Sequence, residues 1–149
     1  MPVDVHSEIE IARPPDVVAP YAADPENAPR WYVNIESAAW QTEPPLGVGS
    51  RFAFVARFLR RRLAYTYEVV DYVPQRRLAM RTSEGPFPME TTYTWEPIGT
   101  ASTRMGLTNR GEPAGFSRLA APFMARAVRR ANRRDLATLK ALLETSTTG

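Results

Sequence analysis

Residues Arg51–Tyr72 read RFAFVARFLRRRLAYTYEVVDY, and the fold turns on this stretch. Phe52, Phe54, Ala56 and Phe58 recur at every second position, and beyond the arginines so do Leu63, Tyr65, Tyr67 and Val69. Strand side chains point alternately to opposite faces, so each set lies on one face. Two such runs joined by a short tip form an antiparallel hairpin. Paired positions in a hairpin sum to a constant. One register meets this for Phe58 with Leu63, Ala56 with Tyr65, Phe54 with Tyr67 and Phe52 with Val69, and it gathers the rings on one face. The arginine tip lacks the Gly or Asn that a two-residue primed turn favours, so a four-residue loop, Leu59–Arg62, is expected. The ring-bearing face is either a filled core or the wall of a pocket, and the function depends on which.

Outward from the hairpin, the same alternation marks further strands. Val3–Ala12 places Ser7, Ile9 and Ile11 on one face and Glu8 and Glu10 on the other. Runs at Asn34–Thr42, Arg76–Ser83, Met89–Glu96 and Ser102–Arg110 complete a set of seven strands, separated by PPLGVG, VPQ, EGPFP and PIGT. Between the first strand and the second stand two helix starts. Pro14-Pro15-Asp16 stops the strand and opens a helix that Pro20 keeps short. Asp24-Pro25-Glu26 repeats the signal, and a second short helix runs into Trp31.

From Gly115 to Glu144 the period becomes helical. Met124, Ala127, Val128, Ala131, Leu139 and Leu142 share one face, and Arg126, Arg129, Arg130 and Arg133 the opposite one. Such a helix is roughly 45 Å long, with a kink expected at Pro122. Short turns between consecutive strands favour an antiparallel meander, and the helix must cover one face of it. The predicted class is α+β: a strongly curved seven-stranded antiparallel sheet around a long C-terminal helix, with two short helices after the first strand. The tail TSTTG is expected to fray.

At 149 residues and 44% apolar content the chain suits one globular domain, 1–149. No apolar run approaches the roughly 20 residues of a membrane span, and MPVDVHSEIE is unlike a signal peptide, so a cytoplasmic location is the default. There is no cysteine and His6 is the single histidine, which leaves little for thiol chemistry, histidine triads or metal sites. No metal and no cofactor are expected. The net charge of +3 comes almost wholly from arginine. The arginine stripe reads as a solvated face, with peripheral contact to an anionic membrane as its sharper reading. It lacks the interleaved aromatics of single-strand binders, and no nucleic acid partner is expected. A monomer and a homodimer are both compatible with the sequence.

The segments EIEIARPPDVVAPYAADPENAPRW, YTYEVVDYVPQRRLAM and LAAPFMARAVRRANRRDLATLKALLE together resemble the helix-grip (SRPBCC, START-like) superfamily. That superfamily includes START lipid-transfer domains, pollen allergens and bacterial polyketide cyclase or dehydrase-like proteins, and the last branch is the nearest in pattern. The resemblance covers nearly the whole chain. It implies a helix-grip fold with a cavity between sheet and helix, and a hydrophobic ligand there. It says less about function, since a fold of this kind hosts many.

The cavity-lining candidates follow from the inner faces. They are Trp31, Phe52, Phe54, Tyr65, Tyr67, Met89, Thr91, Tyr93, Trp95 and Asn109 from the first two-thirds of the chain. Phe116, Ala120, Phe123, Met124 and Ala127 come from the C-terminal segment, with Phe116 and Phe123 as lid or wall. Rings facing small residues also describe a close-packed core. Tyr65, Tyr67 and Tyr93 differ from the phenylalanines because a buried hydroxyl needs a partner. With Asn109, and with Arg81 if it turns inward, they are the polar or catalytic candidates; the alternation of Arg81 with Met80 and Thr82 points it to solvent. Asp135 stands on the inner side of the helix with no arginine one turn away, so a partner from another element and a structural role are expected. Three functions are compatible: binding of a small lipid-like or polycyclic molecule, cofactor-independent polyketide cyclisation, and an interaction module with a filled core.

Overall fold

Alternation along the N-terminal residues makes an edge strand with a wet face and a dry one. In β1 (Val3–Ile11), Asp4, His6, Glu8 and Glu10 are exposed, while Val5, Ser7 and Ile11 are buried. The computed structural model describes residues 3–58, 60–85, 88–111 and 121–145, without the side chains of Val3, Phe58, Ala121 and Pro122. After β1 come α1 (Pro15–Ala23), a 3-10 turn (Pro25–Asn27) and α2 (Ala28–Trp31). Asp24 caps the turn by accepting a hydrogen bond from the Glu26 amide at 3.0 Å. Pro20 lies inside α1 without ending it.

The meander follows as β2 (Ile35–Trp40), β3 (Arg51–Phe58), β4 (Arg61–Val73), β5 (Arg77–Glu84), β6 (Met89–Ile98) and β7 (Ser102–Gly111). All neighbours are antiparallel, and β1 returns to pair with β7, giving the order β1-β7-β6-β5-β4-β3-β2. Register shifts at Thr66/Tyr67 and Val69/Asp71 bend β4. The second shift changes which residues face inward: Tyr72 packs on the core, and Asp71 turns out to pair with Arg77 at 2.8 Å. The sheet curls around α3 (Ala121–Thr145).

The hairpin register differs from the expected one. Phe52 pairs with Tyr67, Phe54 with Tyr65 and Ala56 with Leu63, two residues away from Phe54–Tyr67 and Ala56–Tyr65. The tip explains the difference. Phe58 pairs with Arg61, so two residues rather than four separate the strands, and Arg60 takes a φ of +66°. A left-handed arginine costs about 1–2 kcal/mol. The shorter tip lengthens the ladder and brings the Phe54 and Tyr65 rings to 5.5 Å, which offsets that cost. A slip of two preserves the side-chain face, so Tyr67 is still buried on the concave side.

One end of this half-barrel is solid. Val18, Ala19 and Ala22 of α1 pack there with Ile11, Phe52, Val69, Leu78, Trp95, Met105 and the α3 residues Leu136, Leu139 and Leu143. The buried stripe of α3 therefore ends on Leu143, and Leu142, expected inside, is exposed. Hydrogen bonds lock this end of α3 to the end of β1: Lys140 Nζ to Glu10 O at 2.9 Å, Arg13 Nη1 to Leu143 O at 2.9 Å, and the Ala12 amide to Glu144 Oε2 at 2.7 Å. The Lys140 ammonium beside Glu144 holds that carboxyl below its usual range. Residues 112–120 and 146–149 fall outside the described chain, and with them Phe116, Ala120, the helix start at Gly115 and most of the tail. Pro122 is the second described residue of α3, so the expected kink there also lies beyond description.

Candidate functional site: a cavity between the sheet and α3

Each inner strand face runs from the solid end into a cavity at the other. On β3 the passage is from Phe52 to Phe54 and Ala56, and on β4 from Val69 to Tyr67, Tyr65 and Leu63. On β6 it goes from Trp95 to Tyr93, Thr91 and Met89, and on β7 from Leu107 to Asn109 and Gly111. Helix α3 makes the same passage. Leu136, Leu139 and Leu143 belong to the core, whereas Met124, Val128, Ala131, Asn132 and Asp135 border the cavity. Tyr32 and Ile35 close a further side. The cavity volume is about 170 Å³. A cavity of about 150 Å³ admits benzene, so this one suits one ring or a compact pair of rings.

Eight of the candidates from the sequence stand on this wall: Phe54, Tyr65, Tyr67, Met89, Thr91, Tyr93, Asn109 and Met124. Others stand elsewhere. Trp31, Phe52 and Trp95 are on the correct face but sunk in the solid end, where α1 and α2 fill the space. Phe123 is 70% exposed, one position off the buried stripe, so it is neither lid nor wall. Ala127 is half-buried beside the cavity residues without lining it. Arg81 is exposed on the convex face and stands across the ladder from Glu68 and Glu90, which removes it from the polar candidates of the cavity.

Tyr32, Asn132 and, as a wall residue, Asp135 were not expected from the sequence. Tyr32 sits just past α2, where no periodicity reports a facing. For Asn132 a signal existed: the positions 124, 128, 132, 135, 139 and 143 form one helical stripe of four- and three-residue steps. A polar residue inside an apolar stripe marks either a satisfied network or a site.

The polar groups of the wall form a directed chain. The Tyr67 hydroxyl lies 2.7 Å from Thr91 Oγ1, which donates to Asn109 Oδ1 at 2.6 Å. Asn109 Nδ2 in turn donates to Asn132 Oδ1 at 2.9 Å. Asn132 Nδ2 ends the chain buried, with no partner among the described residues. A second pair, the hydroxyls of Tyr32 and Tyr93, stands at 2.5 Å. Asp135 Oδ1 accepts the Val33 amide at 2.9 Å, so its partner comes from another element, as backbone rather than as a side chain.

Burial pushes every one of these acids up. Tyr67 is raised to about 12, the hydrogen bond to Thr91 opposing part of the effect. Tyr32, Tyr65 and Tyr93 are raised as well, mainly through desolvation. At neutral pH these phenols are neutral and act as hydrogen-bonding groups. Burial raises Asp135 from 3.8 to about 6, against the lowering effect of the Val33 amide and the Arg134 charge. Among the described residues no His, Cys, Asp and Glu cluster has the makings of a metal site.

The sequence profile of the family described as "Polyketide cyclase / dehydrase and lipid transport" matches residues 2–144. The chain belongs to this family. Solved structures agree on the helix-grip, START-like fold of this family member. TTHA0849 from Thermus thermophilus superposes with a TM-score of 0.83 at 22% identity, over 97% of this chain and 99% of that one. A START superfamily protein from Mycobacterium smegmatis gives 0.81 at 16% identity over 97% and 99%. The Zhui aromatase/cyclase from Streptomyces sp. R1128 gives 0.80 at 20% identity over 100% and 99%. No curated protein matches the sequence. No helix among the described residues is long and apolar enough to cross a membrane.

Proposed function

We propose that the protein binds a small, largely apolar ring compound in the cavity between the sheet and α3. The observation that carries this reading is the cavity of about 170 Å³, walled by Phe54, Tyr65, Met80, Met89 and Val128 and polar at a few points. Small-molecule sites share that composition, with apolar walls for affinity and sparse polar groups for orientation. The open volume weighs against an interaction module with a filled core. Membership of a family whose description names both cyclisation and lipid transport is in keeping with the reading.

A second reading, cofactor-independent cyclisation, draws on the neutral phenol pair Tyr32–Tyr93 and on Asp135 at the same wall. Weak acids and bases placed around a reactive polyketone supply general acid–base catalysis and orientation without a metal. Under this reading the binding step is the same and turnover is added.

The test is ligand binding by native mass spectrometry and NMR titration, on the wild-type protein and on Ala131→Phe. The added ring projects into the cavity and should abolish binding while leaving the fold intact. Absence of binding for every one- and two-ring compound, or unchanged binding in Ala131→Phe, would overturn the proposal.

A further inference from the structure

The arginines of the sheet and those of α3 are treated differently. On the sheet, Arg51, Arg57, Arg77, Arg104 and Arg110 each pair with a carboxylate on a neighbouring strand. On α3, Arg126, Arg129, Arg130, Arg133 and Arg134 are all exposed, and none of them forms an ion pair among the described residues. The helix carries no acid before Asp135, which is buried on its other side. The Arg134 charge is felt by that carboxyl without an ion pair. Like charges three and four residues apart destabilise a helix, and Arg126, Arg130 and Arg134 stand at that spacing. No carboxylate among the described residues offsets this repulsion, so a counter-charge from outside the chain fits here.

The same face carries an apolar ring. At about 100° per residue, Phe123, Arg126, Arg130, Arg133 and Arg134 share an arc of about 100° opposite the buried stripe, and Arg129 flanks it. Phe123 is 70% exposed. An aromatic ring at one end of a cationic row suits a lipid interface, where the ring reaches the acyl boundary and the cations stay among the headgroups. The guanidinium fork matches phosphate oxygens two at a time. From Phe123 to Arg134 the helix rises about 16 Å, so the row is straight and can lie along a plane. A nucleic acid duplex would meet the arginines but offers no apolar layer for the ring.

We propose that the outward face of α3, from Phe123 to Arg134, docks on an anionic lipid bilayer, its arginines on headgroup phosphates and Phe123 at the acyl boundary. The headgroup charge relieves the repulsion along the helix. The inner face of α3 stays on the sheet through Leu136, Leu139 and Leu143, so docking needs no unfolding. The proposal does not depend on the cavity holding a ligand.

The experiment is vesicle co-sedimentation of the full chain with phosphatidylcholine alone and with about one-third phosphatidylglycerol. The anionic vesicles should bind roughly tenfold tighter or more. Raising salt from about 0.1 M to about 1 M, which shortens the screening length from about 10 Å to about 3 Å, should remove most of that advantage. Each arginine at the surface contributes roughly fivefold, so Arg126→Gln, Arg130→Gln and Arg133→Gln together should weaken binding roughly 100-fold. Arg77→Gln, Arg81→Gln and Arg104→Gln together remove the same charge from the convex face of the sheet and should cost less than about fivefold. Phe123→Ser should weaken binding roughly tenfold, and Phe123→Trp should add a blue-shifted emission on anionic vesicles that wild type lacks. The wild-type lipid comparison stands on its own should a variant misfold. Binding to the two vesicles within threefold of each other, equal losses in the two triple variants, or an unshifted Phe123→Trp emission would overturn the proposal. Tighter binding to duplex DNA than to anionic vesicles at equal phosphate would overturn it in favour of a nucleic acid partner.

Discussion

Replacing Asp135 by Asn should stabilise this protein, and only above about pH 4. In the folded state the carboxyl has its pKa raised by burial from 3.8 to about 6. A raised carboxyl means the folded state binds the proton more tightly than the unfolded state. Between those two values the native protein holds more protons, so stability falls as pH rises through the window and is lowest above it. At 1.36 kcal/mol per pH unit the gap amounts to about 3 kcal/mol of destabilisation at pH 7–8. Asn keeps the shape and keeps an oxygen to accept the Val33 amide, and it carries no charge to desolvate. Asp135→Asn should therefore gain about 2–3 kcal/mol at pH 8 relative to its difference from wild type at pH 4. For a chain of this length that is about 4–12 °C in Tm. The phenols around the carboxyl leave the window clean, since Tyr32 and Tyr93 titrate far above it. Urea unfolding of both proteins at intervals from pH 4 to 8 measures the difference directly. A difference that does not change across this range would refute the reasoning, and so would an Asn variant that loses stability as pH rises.

Tyr67→Phe removes the hydroxyl bonded to Thr91 and should cost about 0.5–1.5 kcal/mol in a denaturant titration. Tyr65→Phe should stay within about 0.5 kcal/mol, because that hydroxyl has no protein partner among the described residues. Leu139→Ala, at a fully buried position where α3 meets the solid end, should lose about 2–5 kcal/mol. Gly106→Ala brings a methyl within 2.5 Å of Thr94 Oγ1 on the convex face and should destabilise by about 1–3 kcal/mol. Thr94→Ala in the same chain should recover most of that loss, and a double variant no more stable than Gly106→Ala would show the clash lies elsewhere.

Much of the architecture was legible because it depends on short-range physics. The period-two runs, the Pro-acid helix starts and the helical stripe from Met124 onward each follow from local sterics and burial, and each became an element within a few residues of its expected limits. The inner faces of β3, β4, β6 and β7 were legible for the same reason. The hairpin register was not. Alternation is blind to a slip of two, and the choice lay with a tip where Arg60 accepts a left-handed backbone in exchange for ladder and ring contacts.

The depth of each residue along its strand was a tertiary decision too. Phe52 and Phe54 share a face and a residue type, yet one is core and the other cavity wall, because α1 and the leucines of α3 fill only one end of the sheet. Trp95 and Tyr93 divide in the same way. The polar pole had the weakest trace in the sequence. Tyr32, Thr91, Asn109, Asn132 and Asp135 lie on α2's exit, β6, β7 and α3, far apart in the chain. The sequence by itself determined which side chains face inward along β3, β6, β7 and β4 as far as Val69, since facing is set by periodicity until a bulge resets it. Tertiary structure alone decided which of them meet empty space and which hydrogen bonds stay unmade, since both depend on elements distant in sequence arriving at one place.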